Sequence, residues 1–325
     1  MECSQNAAAT TTGAPQPPET DVLGRDFTSI LDLSADELSG VLDLALGMKR
    51  DGGSPVLAGQ TLAMVFEKPS LRTRTSFDMA MHRLGGRALY LSPREVQMGE
   101  REPVKDVARV LARMVQGIAA RTYLHSTVTE LAQYADVPVV NALSDDEHPC
   151  QALADLLTLR ERFGNLRGLR VAYIGDGNNV ARSLAYASVL TGVDLVIATP
   201  AGYELPNATI EVARALAGGG SVTQVRDPHE AVHNAVAVYA DVWTSMGQEA
   251  ETAQRTKDFA GYEIDAALMS AAPPDALVMH DLPAHRGEEI SDEVIESANS
   301  VVFEQAENRM HAQQAILASI LGGVS

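Results

Sequence analysis

The sequence predicts an α/β protein built on two doubly wound parallel sheets, and three observations lead to that reading. Short apolar runs alternate with amphipathic stretches of helical length, which is the pattern of βαβ units covering a parallel sheet. The alternation runs once up to about Glu147 and then starts again. A chain of 325 residues is also longer than one hydrophobic core usually serves, so two units joined by helices are expected. No self-similarity with a period of 20–50 residues points to a solenoid instead.

The elements follow in order. Residues 1–20, within MECSQNAAATTTGAPQPPETD, read as a disordered tail. DFTSILDLSADELSGVLDLALGMKR then spaces its apolar residues as a helix, with Ser34 as N-cap and Glu37 completing a capping box. QTLAMVF reads as a buried strand and SLRTRTSFDMAMHRLGG as a helix stopped by Gly85 and Gly86. Strand RALYLS, helix VKDVARVLARMV, strand GIAAR, helix TVTELAQYA and strand VPVVNA complete a first unit, residues 21–146. Helix HPCQALADLLTLRERFG opens a second unit, residues 147–303, which continues through LRVAYIGDGNNVARSLAYASVLTGVDLVIATP, AVAVYADVWTSMG and ALVMHDLPAH. A returning helix in 304–325 is expected to cross back onto the first unit.

Composition narrows the function. Hydrophobic residues at 46% and charged residues at 21% describe an ordinary globular chain, and no apolar run approaches the roughly 20 residues of a membrane span. The N-terminus has neither the basic and apolar regions of a secretory signal nor the arginines of a transit peptide, so a cytoplasmic location is expected. Two cysteines, Cys3 and Cys150, form no disulfide framework. A net charge of -18 argues against nucleic-acid binding. Histidines and cysteines lack ligand spacing, so neither a metal nor another cofactor is expected.

In such an acidic chain a local cluster of arginines carries information. Ser70, Leu71, Arg72 and Thr73 fall where strand LAMVF gives way to a helix. Their backbone N–H groups and the positive helix end make an anion seat. Arg72 and Arg74 are expected to add charge-assisted bonds, and the Ser70 and Thr73 hydroxyls further donors. The bland alternative is a capped helix with two solvated arginines. GDGNNV, from Gly175 to Val180, lacks the third glycine of a dinucleotide fingerprint, which sets NAD binding aside.

SLRTR, HPCQALADLLTL, DVWTSMGQE and HDLPAHRGEEI, in this order and spacing, resemble motifs of the aspartate and ornithine carbamoyltransferases, and the SMG loop and GDGNN resemble the ornithine branch. The resemblance covers the chain from about Gly24 to its end. It implies carbamoyl transfer from carbamoyl phosphate to a side-chain amine, and a homotrimer or multiple of trimers with shared sites. It implies carbamoyl phosphate contacts at Ser70, Leu71, Arg72, Thr73, Arg121, His148, Gln151 and Arg309, with Gln97 lent to a neighbouring subunit's site. Leu71 stands where a threonine is common, which is tolerable if its backbone N–H does the work. The amino-acid substrate would meet Asn179, Asp241, Ser245, Met246, Asp281 and Leu282, with Asp241 facing the ammonium and Gly247 letting its loop fold over the site. Arg72, Arg121, His148 and Asp281 are the expected catalytic residues.

One position departs from the pattern. Asp281 follows His280 where the ornithine enzymes carry cysteine. A thiol titrates near 8.5 and a carboxyl near 3.9, so the exchange places a charge against the incoming amine. A carboxylate within about 4–6 Å raises an ammonium's pKa by roughly 1–3 units and opposes release of the free amine. Three readings stay open on sequence: transfer to ornithine giving citrulline, transfer to another diamino acid or amine, and a binding or regulatory paralogue without catalysis. Asp281 could also accept the amine's proton as a general base.

Overall fold

The computed structural model describes residues 22–245 and 247–322, so the expected tail and Met246 lie outside the described residues. Strands β1 (Thr61–Phe66), β2 (Arg87–Leu91), β3 (Gly117–Arg121) and β4 (Val139–Leu143) form one parallel sheet in the order β2-β1-β3-β4. Strands β5 (Arg170–Ile174), β6 (Asp194–Ala198), β7 (Ser221–Val225), β8 (Ala237–Ala240) and β9 (Leu277–His280) form a second in the order β7-β6-β5-β8-β9. Each sheet reverses its winding, between β1 and β3 in the first and between β5 and β8 in the second. Open parallel sheets hold ligands at the carboxyl ends of the strands beside such reversals.

Local chemistry sets the helix starts. Ser34 caps Ala35–Asp51 through its side chain, with Glu37 returning the bond, and Gly52 ends that helix at φ 91°. Ser70 caps Leu71–Arg83, and Asn178 caps Asn179–Thr191 by accepting from the N–H groups of Val180 and Ala181. Edge strand β7 does not stand out in the sequence because SVTQV is polar and alternates exposed with buried positions.

The returning helix Val302–Leu321 packs on Pro149–Phe163, on Leu71–Arg83 and on Ala35–Asp51. The inner faces of both sheets and these helices share one apolar cluster, which includes Phe66, Leu153, Tyr173 and Ile316, and two smaller clusters cover the outer faces. Helix Pro149–Phe163 is buried from Pro149 to Leu159, so the joint between the halves is itself core. The buried Glu147 carboxylate adds a polar tie, accepting from Ser183 Oγ at 2.9 Å and from the Ile30 N–H at 3.1 Å. No helix among the described residues is long and apolar enough to cross a membrane.

Candidate active site

A cleft of about 1380 Å³ lies between the strand ends of the two sheets. Ser70, Leu71, Arg72, Arg121, His148 and Arg309 line one side, and Asn179, Asp241, Ser245, Asp281 and Leu282 the other.

The anion side is built on the first sheet's reversal. β1 delivers Ser70 and β3 ends on Arg121, which is paired in register with Phe66. The returning helix brings Arg309 across the same crevice. Thr73 lies fully buried beneath this surface, where its Oγ1 accepts from Arg309 Nη2 at 2.6 Å and from Arg121 Nη1 at 3.5 Å, with Ser70 Oγ at 3.0 Å. Thr73 thus orients two guanidinium groups and contributes no cleft wall. Arg72 and Arg309 make no ion pair among the described residues. Burial, then the charges of Arg309 and Arg72, pushes Arg121 down to about 10, with Asp281 pulling the other way. Burial likewise lowers Arg309, with Arg72 adding to the effect against the pull of Asp281. Guanidinium groups that disfavour one another's charge mark a place for an anion.

Arg74 corrects one expectation. It is exposed and stacks on the Tyr90 ring at 4.1 Å instead of joining Arg72. Residues two apart on a helix point to opposite sides, so only one of the pair can face the cleft. Lys68 takes part unannounced by any motif. It is buried, lines the cleft and sits 4.7 Å over the Tyr123 ring, with burial and then Arg121 lowering its pKa.

His148 is the N-cap of Pro149–Phe163, with its N–H on Ser183 Oγ at 2.9 Å. Burial, then Arg309 and Arg121, holds its imidazole well below the usual range, so it is neutral at pH 7 and acts as a hydrogen-bonding group. Gln151 is fully buried, donates Nε2–H to Asp155 Oδ1 at 2.8 Å and leaves its Oε1 without a partner among the described residues. Gln97 is exposed, adopts φ 44° and does not line this cleft.

The acceptor side collects carboxylates. Asp241 follows β8 and Asp281 follows β9. Asp241 is raised well above the usual carboxyl range by burial, then by the adjacent charge of Asp281 and the hydrogen bond between them. Asn178 Nδ2 donates to Asp241 Oδ2 at 2.6 Å, and Asp241 Oδ1 accepts the Val242 N–H at 2.7 Å. Asn179 lines the cleft while its Nδ2 donates to the Ser144 carbonyl at 2.6 Å.

The loop after β9 is held in a costly shape. Leu282 has φ 58°, a left-handed conformation that a leucine keeps only when its surroundings demand it. Its N–H donates to His280 Nδ1 at 2.9 Å, and Nε2–H is left to donate to the buried Glu289 at 3.0 Å. Burial opposes charge on His280, while Asp281 and Glu289 favour it and push it up to about 9. The Leu282 N–H requires a lone pair on Nδ1, so that bond works against the charge that the carboxylates favour. The fold also brings His285, Glu288 and Glu289 within 4.8 Å, a grouping invisible to motif spacing; Glu289 Oε1 is engaged by His280 Nε2 and the His285 N–H.

A buried ion pair secures the 241–251 loop over the cleft. Arg255 Nη1 meets Asp176 Oδ2 at 2.7 Å and the Trp243 carbonyl at 2.9 Å. Arg255→Ala strands the Asp176 carboxylate, so urea unfolding should report a loss of about 3 kcal/mol, the low end for a broken buried pair because Asp176 can take up a proton. A loss under about 1 kcal/mol would mean the pair is no structural tie. Gly177 serves the same region. A Cβ there would sit 2.4 Å from the Leu205 backbone nitrogen, so only glycine fits beneath that segment.

Fold and site together define a two-substrate transferase of the carbamoyl type, with an anion seat facing paired carboxylates across one cleft. Residues 25–161 match the aspartate/ornithine carbamoyltransferase carbamoyl-P binding domain, and residues 167–320 match the Asp/Orn binding domain. The ornithine carbamoyltransferase of Methanocorpusculum labreanum is 54% identical over 301 residues, spanning 91% of this chain and 98% of that protein. The Bacillus subtilis ornithine carbamoyltransferase is 50% identical over 305 residues, 93% of this chain and 96% of that one. The solved Pyrococcus furiosus ornithine carbamoyltransferase superposes with a TM-score of 0.90 at 49% identity, covering 94% of this chain and 100% of that one. The chain belongs to the aspartate/ornithine carbamoyltransferase family.

Proposed function

We propose that the protein transfers the carbamoyl group of carbamoyl phosphate to the side-chain amine of L-ornithine, giving L-citrulline and phosphate. One observation carries this reading: guanidinium groups from Arg72, Arg121 and Arg309 face the Asp241–Asp281 carboxyls across a single cleft, matching a dianionic donor and a cationic acceptor. The relatives at about 50% identity carry ornithine carbamoyltransferase in their names and support ornithine as the acceptor.

The roles follow from chemistry. The Ser70–Thr73 helix start and the arginines hold the phosphate. Neutral His148 and Arg121 polarise the carbonyl oxygen and stabilise it as charge develops. The ornithine nitrogen, having lost one proton, attacks the carbonyl carbon. The C–O bond to phosphate breaks, and the bonding pair leaves with the phosphate. The nitrogen sheds two protons overall: one leaves with the phosphate as HPO₄²⁻ and the other passes to Asp281 and then to solvent. Asn179, Asp241 and the loop carrying Ser245 hold the α-amino acid head, with Leu282 closing the pocket. Residues 21–146 with the returning helix serve the donor, and 147–303 serve the acceptor.

Three copies sharing their sites complete the picture. Gln97 is exposed on its loop and does not line its own cleft, which supports a role in a neighbour's site.

The test is phosphate release from carbamoyl phosphate with a panel of L-ornithine, L-lysine, 2,4-diaminobutyrate, putrescine and L-aspartate. Ornithine should give the highest kcat/KM, with citrulline as product. Faster turnover with another amine would reassign the acceptor, and no release above background with any of them would overturn the reading.

A further inference from the structure

Gln151, on the helix that His148 starts, and His280, at the end of β9 just before Asp281, are joined through buried side chains. Asp155 Oδ1 accepts from Gln151 Nε2 at 2.8 Å and from Gln305 Nε2 at 2.7 Å. Gln305 Oε1 in turn accepts the His280 backbone N–H at 2.8 Å. Asp155, Gln151, Gln305 and His280 are all buried, with at most 1% exposure, so water does not compete for these bonds. Three separate segments meet here: helix Pro149–Phe163, the returning helix and the end of β9.

We infer that Asp155 and Gln305 are positioning residues that link donor and acceptor sites, tying the Gln151 amide to the backbone that presents Asp281. The inference rests on the carbamoyl-transfer reading and extends it. The bond to Asp155 uses a Gln151 N–H and fixes the amide plane, which leaves the unpartnered, buried Oε1 as an acceptor for the N–H groups of the carbamoyl group. When donor binding draws Gln151 toward the carbamoyl group, the carboxylate moves with it and carries Gln305, and the start of the Asp281–Pro283 loop follows. Each bond in the series is short and buried, so a displacement at one end is passed on before it is absorbed. Reciprocity requires that an acceptor-site ligand tighten donor binding by the same factor.

The coupling is read by calorimetry with carbamoyl phosphate and L-norvaline, which has the ornithine skeleton without the reactive amine. In the unaltered protein saturating carbamoyl phosphate should tighten norvaline by a factor within the usual range of about 5–150. Gln305→Met should cut that factor at least fivefold and leave carbamoyl phosphate affinity within about twofold, a split that general loosening of the fold does not produce. Asp155→Asn, which keeps the accepting Oδ1, should retain the coupling. Should Gln305→Met fail to fold, Gln305→Glu at pH 8 keeps the acceptor for the His280 N–H but sets a carboxylate against Asp155, and the same loss is expected. Full coupling in a folded Gln305 variant overturns the link while leaving the proposed activity standing. Failure of the unaltered protein to bind carbamoyl phosphate overturns the activity itself.

Discussion

Arg72→Ala should lower kcat by at least about 10²–10³-fold, the cost of removing one donor from a charge-developing centre, with no loss of thermal stability. Both halves of that expectation come from the same electrostatics. Arg72 is half-buried at the helix start and makes no ion pair among the described residues, so its removal strands no carboxylate. Its charge instead works against those of Arg121 and Arg309. Truncation relieves that repulsion, and the melting temperature should hold or rise. Groups placed for function at the expense of stability behave this way. A variant that keeps normal turnover would remove Arg72 from the phosphate site. One that melts well below the parent would make Arg72 a structural residue.

Asp281→Asn should reduce kcat with ornithine by about 10² or more, the range of positioned general bases, while the ornithine KM stays level or falls. Asparagine cannot take the amine's second proton. It does remove the Asp281 charge, which after burial is the next cause lifting Asp241 above the usual range, so Asp241 should ionise more readily and hold the ammonium at least as well. Asp281→Cys installs the residue that the resemblance leads one to expect after the loop histidine, and it should sustain ornithine turnover. Equal rates for the asparagine variant and the parent would show that the proton leaves by another route.

The difference between what the sequence made legible and what it did not has a physical basis. Strand β3, GIAAR, lies where its apolar run and flanking helices indicated, and Ser34 caps the helix it was expected to cap, because these depend on neighbours within a few residues. The arginine seat was readable from the helix start and the motif. The misplacement of Arg74 was avoidable, since its spacing of two from Arg72 already excludes a shared face. The Asp155–Gln305 bond joins residues 150 positions apart, and the Asp176–Arg255 pair joins residues 79 apart. Neither has a local signature, because only the packing of the returning helix and the cleft loop creates them. Lys68 was passed over for a related reason, since its proximity to the cleft depends on burial against Tyr123. The charge of Asp281 was plain from its identity. Its effect on Asp241 was not, because the two sit at the ends of adjacent strands β8 and β9.

The measurement that bears most directly on the arginine seat is a calorimetric titration of the protein with carbamoyl phosphate at neutral pH and moderate salt, repeated on the Arg72→Ala, Arg309→Ala double variant. Saturable binding at one site per chain that is lost in the double variant is the predicted result. Absence of binding in the unaltered protein, or undiminished binding once both guanidinium groups are gone, would contradict it.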